Sequence, residues 1–294
     1  MSISNIFIIN GAIPLCIVLP FVYSFVELPA TEMPQIGKQL MAIWQLVQLR
    51  AIWQPCAFIY IYNIFVLTNP AWNSFLVDGL DFSNFFLGLL TVGAAVLSYT
   101  ALVIYKRYLF HVSWRYIYLG GTALSALFSI LQLILVFQWN VHWGLSSPGW
   151  NLAFAMGTYG MVQFVQAIQF LPCCRMFLCM CPGGAEGASY AMLTTLSNLA
   201  GTVSYSISAA VANIWDVDNQ TLLNHDYSGM WRLTIFCASI QFVGLFFLRL
   251  IPSGVDDQLA LQASNQKSFT GGAVFLTVIG LSLLFVISIT FLTV

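Results

Sequence analysis

Long apolar stretches alternate with short polar breaks along almost the whole chain, and the stretches are of helical rather than strand length. A helix needs about 20 mostly apolar residues to cross a bilayer. Eight stretches qualify, at roughly 5–26, 51–68, 83–105, 115–138, 150–172, 187–213, 231–251 and 270–293. The second is the shortest and is carried by the run AFIYIYNIFVL. Pro, Gly, Asn and Asp gather in the breaks, where turns belong. A different pattern lies between the first two stretches, where Ile36, Leu40, Ile43, Trp44 and Val47 recur at helical spacing among Gln and Lys. Such a stripe predicts a helix along the membrane surface, or an inward extension of the next span.

Composition sharpens the picture. Sixty per cent of residues are hydrophobic and 6% are charged, whereas a soluble domain carries roughly 25% charged residues. The expected fold class is an all-α polytopic membrane protein with about eight transmembrane helices, the lipid bilayer being its first partner. A net charge of −1 gives a nucleic-acid partner no support. Residues 1–10 hold no Lys or Arg, so the first stretch lacks the basic region of a cleaved signal and reads as a span. Eight of the nine basic residues fall in or beside alternate loops, Arg232 being the exception. Basic residues accumulate on the cytoplasmic side, which predicts that both termini face out. The acceptor triplet Asn219-Gln220-Thr221 then lies in an exterior loop, making Asn219 a candidate for N-glycosylation. A plasma-membrane location is the default expectation.

Catalytic patterns are missing. His111, His142 and His225 all fall in loops, and no H-E-x-x-H pair, G-x-S-x-G elbow or P-loop occurs. Enzymatic activity is therefore not expected, nor is a cofactor. Cys173, Cys174, Cys179 and Cys181 are spaced CC-x4-C-x-C, without the paired ligands or nearby His of a zinc site. No metal is expected; buried reduced thiols or palmitoylated ones fit better. Amides occur at depth instead: Gln163, Gln166 and Gln169 in the fifth stretch, Gln54 and Asn63 in the second, Gln132 in the fourth, Asn198 in the sixth. Polar groups in lipid must face protein or a water-filled cavity. Singly each could be helix–helix glue, as could the four-residue repeat Ala200, Ser204, Ser208, Ala212. As a set, spread over four spans, they point to a pathway for a polar solute.

One segment carries more. Residues 181–202, CPGGAEGASYAMLTTLSNLAGT, open a helix with two glycines and Glu186, a carboxylate that the helix dipole favours in a first turn. The string resembles the signature of the folate–biopterin transporter family of the major facilitator superfamily, with Cys181, Pro182, Gly184, Glu186, Ser197, Asn198 and Gly201 at the matching positions. IWQPCAFIYIYNIF (52–65) is similar to that family's seventh span, and residues 85–118 to its eighth span, basic loop and ninth span. The resemblance covers residues 50–252 and departs in two respects, one being Gly183 in the first position after the signature proline. The family has twelve spans in two six-helix halves, whereas this chain supplies what corresponds to the sixth span, then the seventh to twelfth, then one more.

The resemblance thus implies a transmembrane helix at 1–28, a cytoplasmic amphipathic linker at 29–49 and a six-helix C-terminal half at 50–252. A cytoplasmic loop at 253–269 and an additional helix at 270–294 follow. It implies secondary, proton-coupled, alternating-access transport of pteridine-like solutes such as folate or biopterin, by a chain lacking its N-terminal half. Glu186 is the expected gate or proton-linked residue; Asn198, Gln163 and Gln166 are the expected hydrogen bonders along the pathway. A missing N-terminal half or a second copy of the chain would complete the site. The competing expectation is a non-transporting multi-pass protein that dimerises or binds other membrane proteins through its small-residue faces.

Overall fold

A computed structural model describes residues 3–24, 36–180 and 186–293. A helix stands at each of the eight apolar stretches, and no strand forms among the described residues beyond an isolated bridge between Leu49 and Lys267. The chain divides into two units, residues 1–43 and 44–294. The first contains α1 (Ile3–Ser24), with Pro14 and Pro20 inside it. Helix α2 (Ile36–Val47) straddles the division; its C-terminal turn buries Val47 and leaves Gln45 exposed.

The second unit is built from α3 (Arg50–Phe65), α4 (Asn84–Leu109), α5 (Trp114–Val136), α6 (Pro148–Met180), α7 (Glu186–Ile214), α8 (Ser228–Leu250), α9 (Val255–Ala263) and α10 (Phe269–Thr293). Local chemistry sets several ends. Ser83 caps α4 by accepting the Phe86 N–H at 3.4 Å, and Pro148 opens α6, where a missing N–H costs nothing. Among the described residues, five helices are long and apolar enough to cross a membrane: α4, α5, α6, α8 and most of α10. The chain is an all-α, multi-pass membrane protein. At 16 residues α3 is about 24 Å long, short of the bilayer core. The Ser, Thr and Asn of α7 hold its mean hydropathy below that of the five.

Two local differences from the sequence expectation matter. Helix α3 stops at Phe65 rather than 68, and the chain that follows does not leave the bundle. It folds back as a one-turn helix, Trp72–Ser74, and a π-turn, Phe75–Gly79, with Trp72, Phe75, Leu76 and Phe82 all buried. Helix α6 runs to Met180 instead of 172, so that Cys173 and Cys174 lie within it.

Buried apolar residues form two main clusters. Toward the end of the bundle that carries the 110–113 and 251–254 turns, Phe58 and Ile59 of α3 meet Trp114, Tyr118, Met176 and Phe177. Toward the opposite end, the folded-back segment packs Phe75 and Leu76 against Leu133, Leu135, Leu222 and Met230. Polar side chains collect between the two.

Candidate functional site: an amide-lined cavity

Helices α3, α5, α6 and α7 wall a cavity of about 300 Å3 lined by Tyr62, Asn63, Tyr118, Gln166, Gln169 and Ser197, among others. Its floor is a chain of hydrogen bonds whose direction can be worked out. Gln169 Nε2 donates to the Tyr62 hydroxyl at 2.8 Å. Thr122 spends its proton on the Tyr118 carbonyl at 2.8 Å, so the Tyr62–Thr122 contact of 2.7 Å must be donated by Tyr62. The Tyr118 hydroxyl returns to the Gln169 carbonyl at 3.2 Å. Buried polar groups must be paired, and this set pairs itself. The rings lock it further, Tyr62 and Tyr118 meeting edge-on at 4.9 Å. Gly121 makes room: a Cβ there would lie 2.5 Å from Gln169 Nε2.

A smaller recess of about 80 Å3 adjoins this cavity, sharing Val66, Thr68 and Gln166 with it. Ser129 and Gln132 of α5, Gln163 of α6, and Thr234 and Gln241 of α8 face it, and the folded-back segment closes it with Asn69 and Trp72. Two hydrogen bonds tie the segment to α8 and α7, and a third braces it internally. Asn69 Oδ1 accepts the Ala71 N–H at 3.0 Å, its Nδ2 donates to Thr234 Oγ1 at 3.2 Å, and Ser204 Oγ of α7 donates to the Val66 carbonyl at 3.0 Å. Two irregular stretches border the recess. Residues Met156–Gly160 of α6 form a π-turn, and α8 tightens to a 3-10 helix from Gln241 onward. Such departures within spans are frequent at functional sites.

The three glutamines of α6 make the cavity one object. Steps of three residues turn a helix by about −60° each. Gln163 faces the recess, Gln166 both spaces, and Gln169 the larger cavity. No Lys, Arg, His, Asp or Glu lines either space among the described residues.

Of the residues singled out in the sequence, Gln163 lines the recess and Gln166 lines both spaces. From the signature string, Ser197 and Gly201 line the larger one. Asn198 is exposed on another face of α7, its carbonyl accepting the Thr202 hydroxyl at 3.0 Å. Glu186 is the first residue of α7, its side chain lying outside the described residues, as do Cys181, Pro182 and Gly184 altogether. Asn219 is exposed at the start of a short helix, Asn219–Leu223, where Asp218 and Thr221 form a reciprocal cap. The sequence reading passed over Trp72, Asn69, Gln241 and the two tyrosines. Tyr62 and Asn63 stand together in IYNIF, an aromatic beside an amide in an otherwise aliphatic run, and that was the available signal.

The profile of the BT1 family matches residues 23–268. The chain is 27% identical over 255 residues to the folate-biopterin transporter of Synechocystis, covering 86% of this chain and 50% of that protein. It is 21% identical over 272 residues to folate transporter 1 of Plasmodium falciparum (91% and 51% covered) and 22% identical over 266 residues to folate transporter 2 of the same organism (90% and 56%). The chain spans about half the length of the curated relatives it matches. No solved structure matches.

Proposed function

The chain belongs to the BT1 family, and from that premise we propose that it forms part of a secondary transporter for folate- or biopterin-like pteridines. The observation that supports the reading is the amide-lined cavity inside the matched region, reached by Gln163 and Gln166 and free of charged side chains among the described residues. A pteridine offers flat faces for aromatic contact and an edge of alternating donors and acceptors. Amide side chains match such an edge with either partner. Ligand pockets are commonly apolar-walled with a few placed polar groups, and here Tyr62, Tyr118 and Phe170 provide the walls.

Transport by alternating access needs a second set of helices that rocks against this one. The other half of a longer protein or a second copy of this chain supplies it. In this scheme Glu186, at the start of α7, is the proton-linked gate, and Asn198, exposed on α7, meets solute from the face turned toward the second set.

Uptake of labelled biopterin into cells expressing the chain, against cells lacking it, tests the reading. Gln166→Leu at equal surface level should cut uptake about tenfold, the worth of one lost hydrogen bond to a desolvated ligand. Glu186→Gln should flatten the dependence of uptake on pH between about 5 and 8. Uptake equal to that of cells lacking the chain would overturn transport by copies of this chain alone. Wild-type pH dependence in Glu186→Gln would remove Glu186 from it.

A further inference from the structure

We propose that α9 is a clasp holding α3 and α6 together at the end of the bundle that carries the 251–254 turn, and that Gln258 is a positioning residue for the cavity floor. The device goes beyond the transport reading and does not depend on which solute the cavity takes. Its origin lies in α3. The run AIWQP places Pro55 four residues after Ala51, inside the helix. A helical carbonyl accepts from the N–H four residues on. Proline has none, and its ring crowds the carbonyl it should have served. The Ala51 carbonyl thus lacks its helical donor at a place where Ala51 and Pro55 are both buried. Gln258 supplies a donor from α9, its Nε2 reaching the Ala51 carbonyl at 2.8 Å. The Gln258 side chain is fully buried, and its Oε1 pairs with nothing among the described residues. A single bond therefore offsets the burial of a whole amide, and it goes to a carbonyl that a proline left open.

The second arm lies one turn on. Gln262 follows Gln258 by four residues and so shares its face of α9; its Nε2 donates to the Cys179 carbonyl, in the last turn of α6, at 2.7 Å. One helix face grips two helices. Those two touch each other over little of their length, and α9 packs against each of them more extensively. The strap is also stitched down at both ends. The Trp114 N–H, at the start of α5, donates to the Ser253 carbonyl at 2.9 Å, and the Arg50 N–H donates to the Gln266 carbonyl at 2.9 Å. Two turns beyond Pro55, α3 carries Tyr62, whose hydroxyl accepts from Gln169 of α6 at 2.8 Å. Helices bend at proline, so what holds the Ala51 carbonyl also sets the direction in which α3 brings Tyr62 to Gln169.

The test is N-ethylmaleimide labelling of the full chain in lipid nanodiscs, with the native thiols followed one by one by peptide mass spectrometry. Buried thiols react as their surroundings open locally. Cys56 stands next to Pro55, Cys173 of α6 lines the cavity, and Cys237 of α8 belongs to a separate cluster; all three are buried. Gln258→Leu should speed labelling of Cys56 and Cys173 about tenfold and leave Cys237 unchanged. Gln262→Leu should speed Cys173 about threefold or more. The deciding variant is Pro55→Ala/Gln258→Leu, which returns an N–H to the Ala51 carbonyl and should bring both thiols to within about threefold of wild type. Absence of that rescue would show that Gln258 acts by packing and overturn the role given to its amide. Wild-type rates at Cys56 in Gln258→Leu, or a rise at Cys237 equal to that at Cys56, would overturn the clasp, as would unchanged Cys173 labelling in Gln262→Leu. Where Gln258→Leu alone does not fold, recovery of folded protein on adding Pro55→Ala supports the same pairing, and failure to recover overturns it.

Discussion

At the scale of single residues, the position most tightly bound to the site is one that carries no chemistry. Gly121 lets Gln169 lie against α5, and a Cβ there would meet three atoms of that amide within 3.0 Å. The amide cannot swing away freely, because its Nε2 is the donor that Tyr62 depends on. Gly121→Ala should therefore cost about 1–3 kcal/mol, the range for a buried polar group deprived of its partner. Gly120→Ala, whose Cβ would meet nothing within 4 Å, should leave melting unchanged. Equal melting temperatures for the two variants would show that Gln169 is not held where the geometry puts it. Carboxylates outside the long spans make a second expectation. Hydrogen bonds from Thr221 hold Asp218 below the ordinary carboxylate value, those from Ser228 do the same for Asp226, and Ser253 does so for Asp257. A depressed folded-state value stabilises above the unfolded value of about 3.9 and is lost as pH falls through the folded one. Melting temperature should fall below about pH 4, and Asp218→Asn should weaken that fall. The sequence gives the glutamines of the site but not Gly121, because a glycine in an apolar run looks the same whether a side chain leans on it or not.

At the scale of elements, α7 shows how far pattern reading reaches. The four-residue repeat of Ala200, Ser204, Ser208 and Ala212 becomes a packed face, with exposures of 0%, 3%, 0% and 5%. Ser208 bonds back to the Ser204 carbonyl at 2.9 Å and Ser204 reaches across to the Val66 carbonyl just past the end of α3. Replacing Ala200 by Leu pushes a larger side chain into this seam and should cost about 1–3 kcal/mol. Thr202→Leu, on the exposed face, should cost far less. Chemical melts of the two variants in the same detergent check the difference; similar midpoints would mean the seam is loose. The fold was legible where hydrophobic period and length decide, which covers every long helix. It was not legible where tertiary packing overrides local pattern. Residues 69–82 read as an exterior loop between two spans, marked by Asp78 and Asp81, yet Trp72, Phe75 and Leu76 turn inward. The π-turn at Met156–Gly160 and the 3-10 stretch from Gln241 also lack a signature, since the same residues satisfy an ordinary helix equally well.

At the scale of the whole molecule, the exposed surface is not uniform, and the difference decides where lipid lies. Helices α4 and α10 turn Phe85, Val92, Val96, Leu281 and Leu284 outward, each at least 59% exposed. Such apolar groups are suited to acyl chains. Helix α7 turns Thr195, Asn198 and Thr202 outward instead, and amides and hydroxyls at membrane depth face protein or water rather than acyl chains. Both kinds of surface belong to the same bundle, so a water-soluble, membrane-impermeant maleimide should tell them apart. Cysteines introduced at Asn198 and Thr202 should label above the background of the native thiols, and those at Val92 and Leu281 should not. Adding a pteridine should slow labelling at Asn198→Cys if that face borders the solute path, as alternating access requires. Labelling of Asn198→Cys as poor as that of Val92→Cys would place the polar face against protein or lipid throughout, and the path would then have to run through the amide-lined cavity alone.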